Sequence, residues 1–169
     1  MIKQKFAELK RQPIFKLEKG FQLFLVFCIT DSSLNIEQID FSFISSNSSG
    51  KNKNEKEYKP HKIKNFSFKG GVWQFHKSEE EKNFGTINIK DVKDIPELLP
   101  KIKHLLEDKK LSIDKFIFIL ENKKGSEIYS VTCLCKDFFV YKITFDAKTL
   151  NLLDTKMHNL FDFFQIKKV

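Results

Sequence analysis

The chain has 169 residues, of which 41% are hydrophobic and 14% aromatic, so it can bury a core and is not a disordered chain. Its formal net charge is +8, which favours an acidic partner. Arg11 is the only arginine, although arginine is the residue that binds phosphates and guanine edges through paired hydrogen bonds. The charge therefore indicates an acidic protein partner more strongly than a nucleic acid.

Cysteine content and hydropathy indicate the compartment. Cys28, Cys133 and Cys135 are too few, and odd in number, for a disulfide framework, which favours a reducing environment. Residues 1–15 lack the apolar stretch of a signal peptide, and the longest apolar run, 21–29, is far shorter than the ~20 residues of a membrane-spanning helix. We expect a cytoplasmic protein without membrane insertion, unless a signal peptide has been removed.

The first part of the chain predicts a short helix and then strands. Ile2, Phe6 and Leu9 recur at helical spacing, which predicts a helix over 2–11. Residues 21–30 are apolar on both faces, as is typical of a central strand that is covered on both sides. We therefore expect a β-rich N-terminal half over residues 14–90.

A polar loop and a tight hairpin complete this half. Alternating residues predict a half-buried strand over 39–43, and the lysine-dense stretch 45–60 predicts a flexible loop. Gly70-Gly71 suits a type I′ turn, which needs positive φ at both positions. That turn predicts three cross-strand pairs, Lys69–Val72, Phe68–Trp73 and Phe66–Phe75. A short strand is predicted further along the chain, over 86–89.

The C-terminal half, residues 94–169, predicts a helix followed by sheet. An apolar stripe predicts the main helix over 94–109, and Asp94 with Glu97 resembles a capping box at its start. Pro100 either kinks this helix or marks its true first turn. The remaining pattern predicts a helical C-terminus around Leu160, Phe163 and Phe164, after four strands: 113–120, 128–135, 139–145 and 150–155.

Cys133 and Cys135 are predicted to be core residues. A three-residue connection at 136–138 would pair Cys133 with Tyr141 and Val131 with Ile143, which places both thiols among apolar side chains. A metal site would need further ligands, and no second cysteine pair or paired histidines supply them. No catalytic motif is present either, so we expect no metal, no cofactor and no enzymatic activity.

The aromatic hairpin leaves three interpretations open. Phe66, Phe68, Trp73 and Phe75 share one face and could stack on single-stranded nucleic acid among the neighbouring lysines. They could instead pack against the helix at 94–109, which a sheet so rich in phenylalanine favours. A third interpretation is a cup between sheet and helix that holds a small apolar ligand.

Residues 95–156 resemble a PepSY-like domain. The resemblance rests on the helix IPELLPKIKHLL, the strand containing Tyr129-Ser130-Val131, and the turn Asp146-Ala147-Lys148-Thr149 before a closing apolar strand. It implies a helix followed by an antiparallel, cystatin-like sheet, and a non-catalytic role in binding a partner or restraining an enzyme. Residues 14–90 show no convincing sequence repeat of this unit.

The sequence as a whole predicts one domain over 1–169 of the α+β class, with antiparallel sheet in two sections packed against one main helix. The expected function is a non-enzymatic protein-binding module, such as an inhibitor or an immunity-type neutraliser. The alternatives are a nucleic-acid-binding protein with a lysine-rich surface and a carrier of a small apolar ligand. The candidate contact surface is the loop 47–62 with the hairpin turn, and its residues are Lys51, Lys53, Lys56, Lys59, Lys62, Lys64, Gly70, Gly71 and Trp73.

Overall fold

A computed structural model describes residues 1–45, 61–80 and 84–160. Two helices and eight strands form in these residues. Their bounds in chain order are α1 Ile2–Lys10, β1 Phe21–Asp31, β2 Ile36–Ser45, β3 His61–Lys69, β4 Val72–Glu80, α2 Ile95–Glu107, β5 Ile113–Lys123, β6 Ser126–Cys135, β7 Phe139–Asp146 and β8 Leu152–Asn159.

All eight strands belong to one antiparallel sheet, in the order β4-β3-β2-β1-β5-β6-β7-β8. Each half of the chain is a helix followed by four strands, and the two halves meet where β1 pairs with β5. Cys28 lies opposite Phe118 at this junction, and Val26 lies opposite Leu120. From the junction outwards, each half therefore places its four strands in chain order, β1 to β4 on one side and β5 to β8 on the other. The two halves share this arrangement although their sequences show no convincing repeat.

The predicted α+β class is wrong. Strand makes up 54% of the described residues and helix 16%, so the fold is mainly β. The expected two sections of sheet are one sheet, because the backbone groups of β1 and β5 satisfy each other across the junction of the halves. The sheet packs against two helices and not against one main helix. Ile2 and Leu9 of α1 are fully buried in the same core as the apolar side chains of α2.

Both helices lie on one face of the sheet, which we call the helix face. Phe6 of α1 stacks near Phe41 of β2, with ring centroids 5.3 Å apart. Beside α2, the Tyr129 hydroxyl donates a hydrogen bond of 2.7 Å to the carbonyl of Lys93. The strand side chains beneath the helices form one continuous core, which includes Val26, Cys28, Phe41, Phe66, Phe118, Val131, Cys133 and Ile143.

Several local predictions are confirmed. The capping box of Asp94 and Glu97 is present at the start of α2. Gly70 and Gly71 have φ of 58° and 82°, as a type I′ turn requires. The register of β3 with β4 is the predicted one, and β6 with β7 shows the two predicted pairs Cys133–Tyr141 and Val131–Ile143.

Other local predictions need correction or lie outside the described residues. Pro96 lies in the first turn of α2 and Pro100 lies inside the helix, so Pro100 does not mark its start. Residues 86–89 form no strand, although the amide of Ile87 donates to the carbonyl of Leu23 at 2.7 Å. β8 extends beyond the predicted end, to Asn159. Apart from Ser45, the predicted loop 45–60 is outside the described residues, as are Phe163 and Phe164 of the predicted C-terminal helix.

Candidate functional site

The sheet face opposite the helices, here called the open face, carries an apolar strip at its centre. Side chains alternate between faces along a strand, so the residues between the core positions of β1 and β5 lie on this face. Phe27 lies opposite Ile119, and Ile29 lies opposite Ile117. All four side chains are partly exposed, and they belong to neither apolar cluster of the described residues. We call these four residues the apolar strip.

Such a strip is unusual on an open antiparallel sheet, where the solvent side is commonly polar. The sequence predicts that residues 21–30 are covered on both faces because both are apolar. Among the described residues, the helices cover only one of these faces. No described helix therefore covers the second apolar row, and exposed apolar patches with polar rims are typical of binding surfaces.

Polar side chains border the apolar strip on both sides. On β2, Asp40 lies opposite Phe27 and Gln38 lies opposite Ile29. On β6, Ser130 and Thr132 lie opposite Ile119 and Ile117. The Asp40 carboxylate accepts hydrogen bonds from the Gln38 amide, at 2.8 Å, and from the Ser67 hydroxyl. An apolar centre with a polar rim is the usual anatomy of a protein–protein interface.

The charges next to the strip are mixed in sign. Lys115 of β5 forms an ion pair of 2.7 Å with Glu37 of β2, and this hydrogen bond raises the pKa of Lys115 above its ordinary value. At the other end of β5, Lys123 lies 2.8 Å from Glu121. Because Lys115 and Lys123 both have a carboxylate partner, they do not form an unpaired basic stripe along β5.

A small second apolar cluster extends the open face at one end. Phe24 lies at a register irregularity of β1 and packs with Ile44 and Ile63. The exposed ring of Phe84 stacks on Phe24, with centroids 4.6 Å apart. This cluster adds apolar surface close to Leu25, which packs against it.

Of the predicted contact lysines, the structure describes only Lys62 and Lys64. Lys51, Lys53, Lys56 and Lys59 lie outside the described residues, and Lys62 is exposed on β3.

Lys64 is buried instead of exposed. Its Nζ donates to Glu18 at 2.8 Å and to the carbonyl of Lys16 at 3.1 Å, and it lies 4.7 Å from the centre of the Phe21 ring. The hydrogen bond from Lys64 also holds the pKa of the Glu18 carboxyl below its usual range. Lys64 therefore fastens the segment before β1 to the sheet, and its burial leaves little of the side chain exposed to a partner.

Gly70, Gly71 and Trp73 lie elsewhere, at the tip of the β3–β4 hairpin. Gly71 and Trp73 line an open cleft of about 440 Å³ together with residues of α1 and its C-terminal end; the full lining is Glu8, Gln12, Ile14, Phe68, Gly71, Val72 and Trp73. This cleft is a second candidate surface, separate from the apolar strip.

The aromatic row of the hairpin faces the core. Phe66 is fully buried, and its ring centroid lies 5.2 Å from that of Phe15. Trp73 packs on Phe68, at 5.2 Å, and on Phe41, at 6.3 Å. These ring contacts lie in the N-terminal half, whereas the sequence favoured packing against the helix at 94–109.

All three cysteines are buried thiols, which confirms the prediction for Cys133 and Cys135. Cys28 and Cys133 are fully buried and Cys135 nearly so, and none forms a disulfide. Burial raises the pKa of Cys28 and of Cys133 to about 12. Among residues 1–45, 61–80 and 84–160, no three His, Cys, Asp or Glu side chains are grouped to hold a metal ion. Neither helix of these residues is long and apolar enough to cross a bilayer.

Comparison with known proteins gives a fold but no family. No protein-family model matches the sequence, and no curated protein matches it. The structure is similar to a crystal structure of a protein from Clostridium difficile 630 described as a "putative lipoprotein". The TM-score is 0.52 over 93% of this chain and 90% of that chain, at 8% sequence identity. At this identity the likeness shows a shared fold alone, and the resemblance to PepSY-like domains stays a prediction.

Proposed function

We propose that this chain is a non-enzymatic protein-binding module, and that the open face is its binding surface. The observation that carries the proposal is the apolar strip: Phe27, Ile29, Ile117 and Ile119 lie together on central strands and outside both apolar clusters. A partner that buried this strip would remove apolar surface from water, which is the main driving force of protein association.

The chemistry of the open face favours a protein over a nucleic acid. Phosphate recognition needs unpaired basic groups, whereas Lys115 is paired with Glu37 beside the strip. Asp40, on the rim, would repel a phosphate backbone. The hairpin aromatics that could have stacked on bases are directed into the core, with Phe66 fully buried.

The same face favours a protein over a small apolar ligand. Small ligands bind in clefts that bury most of their surface. The apolar strip instead spreads across two neighbouring strands with a hydrogen-bonded polar rim. The partner we propose presents an apolar contact ringed by polar groups, and the net charge of +8 favours an acidic one through electrostatic steering. An inhibitor or an immunity-type neutraliser is one kind of protein that would bind such a partner.

The test is affinity capture from nuclease-treated lysate of the source organism, with quantitative mass spectrometry, comparing the native chain with the double variant Phe27→Thr/Ile119→Thr. Threonine keeps the strand propensity and removes the apolar surface. We expect the native chain to capture one protein at near-equal stoichiometry and the double variant to lose it. Circular dichroism checks that the double variant is folded.

The matched control is Ile14→Thr/Val72→Thr, which removes two exposed apolar side chains at the hairpin cleft. Capture should survive this change. Capture that survives the strip variant and is lost with the cleft variant would place the interface at the hairpin and contradict the proposal. Capture that depends on neither pair would contradict it as well.

A further inference from the structure

The two edges of the sheet differ in how they are protected. In the described part of the chain, β4 and β8 are the terminal strands of the sheet. An edge strand offers unpaired backbone groups to another chain, and proteins commonly block it with charged residues. β4 ends in Lys77, Ser78, Glu79 and Glu80 and exposes a single large apolar side chain, Val72.

β8 is less charged and more apolar at its surface, although a register irregularity leaves Leu153 without a partner residue on β7. Three large apolar side chains are about half exposed in these eight residues: Leu152 at 48%, Leu153 at 56% and Met157 at 52%. Its two charged residues, Asp154 and Lys156, neutralise each other through an ion pair of 3.3 Å. The strand therefore exposes three large apolar side chains, has one acidic and one basic residue whose charges cancel, and lies at the end of a hydrogen-bonded sheet.

The order of residues in β8 is complementary to itself. In an antiparallel pair of two copies centred on Thr155, Asp154 of one copy lies opposite Lys156 of the other, and this occurs twice by symmetry. Leu153 likewise lies opposite Met157. Opposite charges and apolar side chains in directly opposed positions stabilise a strand pair, whereas like charges there destabilise it.

We propose that β8 is a self-association edge, which pairs antiparallel with β8 of a second copy of this chain. The two-fold axis of such a pair is perpendicular to the sheet, so the sheets of the two copies become continuous. The open faces of both copies then lie on the same side. This inference rests on the residues of β8 and is independent of the partner proposed for the apolar strip.

The contact is short, so the dimer should be weak. Interfaces below about 1,200 Å² are typical of transient complexes. We expect dissociation in the micromolar range, measured by sedimentation velocity from roughly micromolar to millimolar concentration.

Charge reversal gives the decisive test. Asp154→Lys places lysine opposite Lys156 of the other copy, and Lys156→Asp places aspartate opposite Asp154, so each variant alone should stay monomeric. Mixing the two variants restores opposite charges at every pair, and a heterodimer should form with an affinity close to that of the native chain. Both side chains are more than half exposed, so the fold should tolerate each change.

The matched control is Glu80→Lys, a charge reversal on the other edge strand, which should dimerise like the native chain. A native chain that stays monomeric over the whole range would overturn the proposal. So would single variants that dimerise as the native chain does, a mixture that fails to form a heterodimer, or loss of the dimer in the Glu80→Lys variant only. Affinity capture on the apolar strip has a different readout, so either proposal can fail without the other.

Discussion

Asp94 is the residue that organises the helix face, because it caps both helices. Its carboxylate accepts hydrogen bonds from the amides of Ile2 and Ile95, at 2.9 and 2.8 Å, and contacts the α-amino group of Met1. Burial acts to raise the pKa of Asp94, but these hydrogen bonds outweigh it and hold the pKa below its ordinary value. One side chain thus joins the N-terminal ends of α1 and α2.

We predict that Asp94→Ala lowers the free energy of unfolding by about 2 kcal/mol at neutral pH, since it removes a cap and leaves buried donors unsatisfied. A carboxyl with a lowered pKa in the folded state contributes stability above its unfolded pKa of about 3.9 and loses it as the pH falls through the folded value. The difference between native and variant chains should therefore shrink below about pH 4. Urea unfolding at several pH values measures this, and a difference that stays constant down to pH 3 would contradict the role of the ionised carboxylate.

Thr30 on β1 is a polar residue in an apolar site. It is fully buried, and its hydroxyl has no hydrogen-bond partner among the described residues. Because burial of an unpaired hydroxyl costs free energy, Thr30→Val should raise the free energy of unfolding by about 1 kcal/mol. Thr30→Ser, which keeps the hydroxyl and removes a methyl group, should lower it. Chemical denaturation of the native chain and both variants measures the free energies of unfolding. A valine variant less stable than the native chain would show that the Thr30 hydroxyl has a hydrogen-bond partner.

Among the elements, the β3–β4 hairpin depends most directly on its turn. Gly70 has φ of 58° with no atom within 4 Å of the place where a Cβ would lie, so only the backbone conformation opposes a side chain there. We predict that Gly70→Ala costs about 1 kcal/mol, whereas Gly70→Asn is close to neutral because asparagine tolerates this conformation. Thermal unfolding compares the two variants, and an equal effect of both would mean that the turn has another geometry.

Elements with a strong local signal could be predicted from the sequence. The capping box at Asp94, the Gly70-Gly71 turn and the register of Cys133 with Tyr141 depend on neighbouring residues and are confirmed. The joining of the halves could not be predicted, since Cys28 and Phe118 are separated by about half of the chain and their pairing leaves no local pattern. This pairing is why the two expected sections of sheet are one sheet, whereas the α+β class is wrong because strand far outweighs helix.

In the candidate site, too, local features could be predicted from the sequence and long-range contacts could not. The pattern of residues 21–30 correctly indicates apolar side chains on both faces, but it cannot show that the helices cover only one of them. The lysines were chosen for their charge alone, and Lys64 has an internal partner, Glu18, that is 46 residues away in the chain. A strand apolar on both faces, in a chain with few predicted helices, is the sequence signal that could have indicated the open face.

At the scale of the whole molecule, two helix-and-four-strand units share one sheet, and the binding surface that we propose lies at their junction. β1 and β5 each contribute half of the apolar strip, so neither unit alone carries the proposed surface. Among the described residues, the helices cover the other face and leave the apolar strip partly exposed. Binding should therefore require the intact sheet and should bury the centre of the open face first.

The most direct test is a cysteine footprint at the strip. Native thiols are buried, with the pKa of Cys28 and Cys133 raised to about 12, so a thiol introduced at an exposed position should react selectively with maleimide. We would measure the labelling rate of Ile119→Cys, with Val72→Cys as the control, with and without the captured partner. We predict that the partner slows labelling at position 119 severalfold and leaves labelling at position 72 unchanged. Unchanged labelling at 119, with protection at 72, would contradict it.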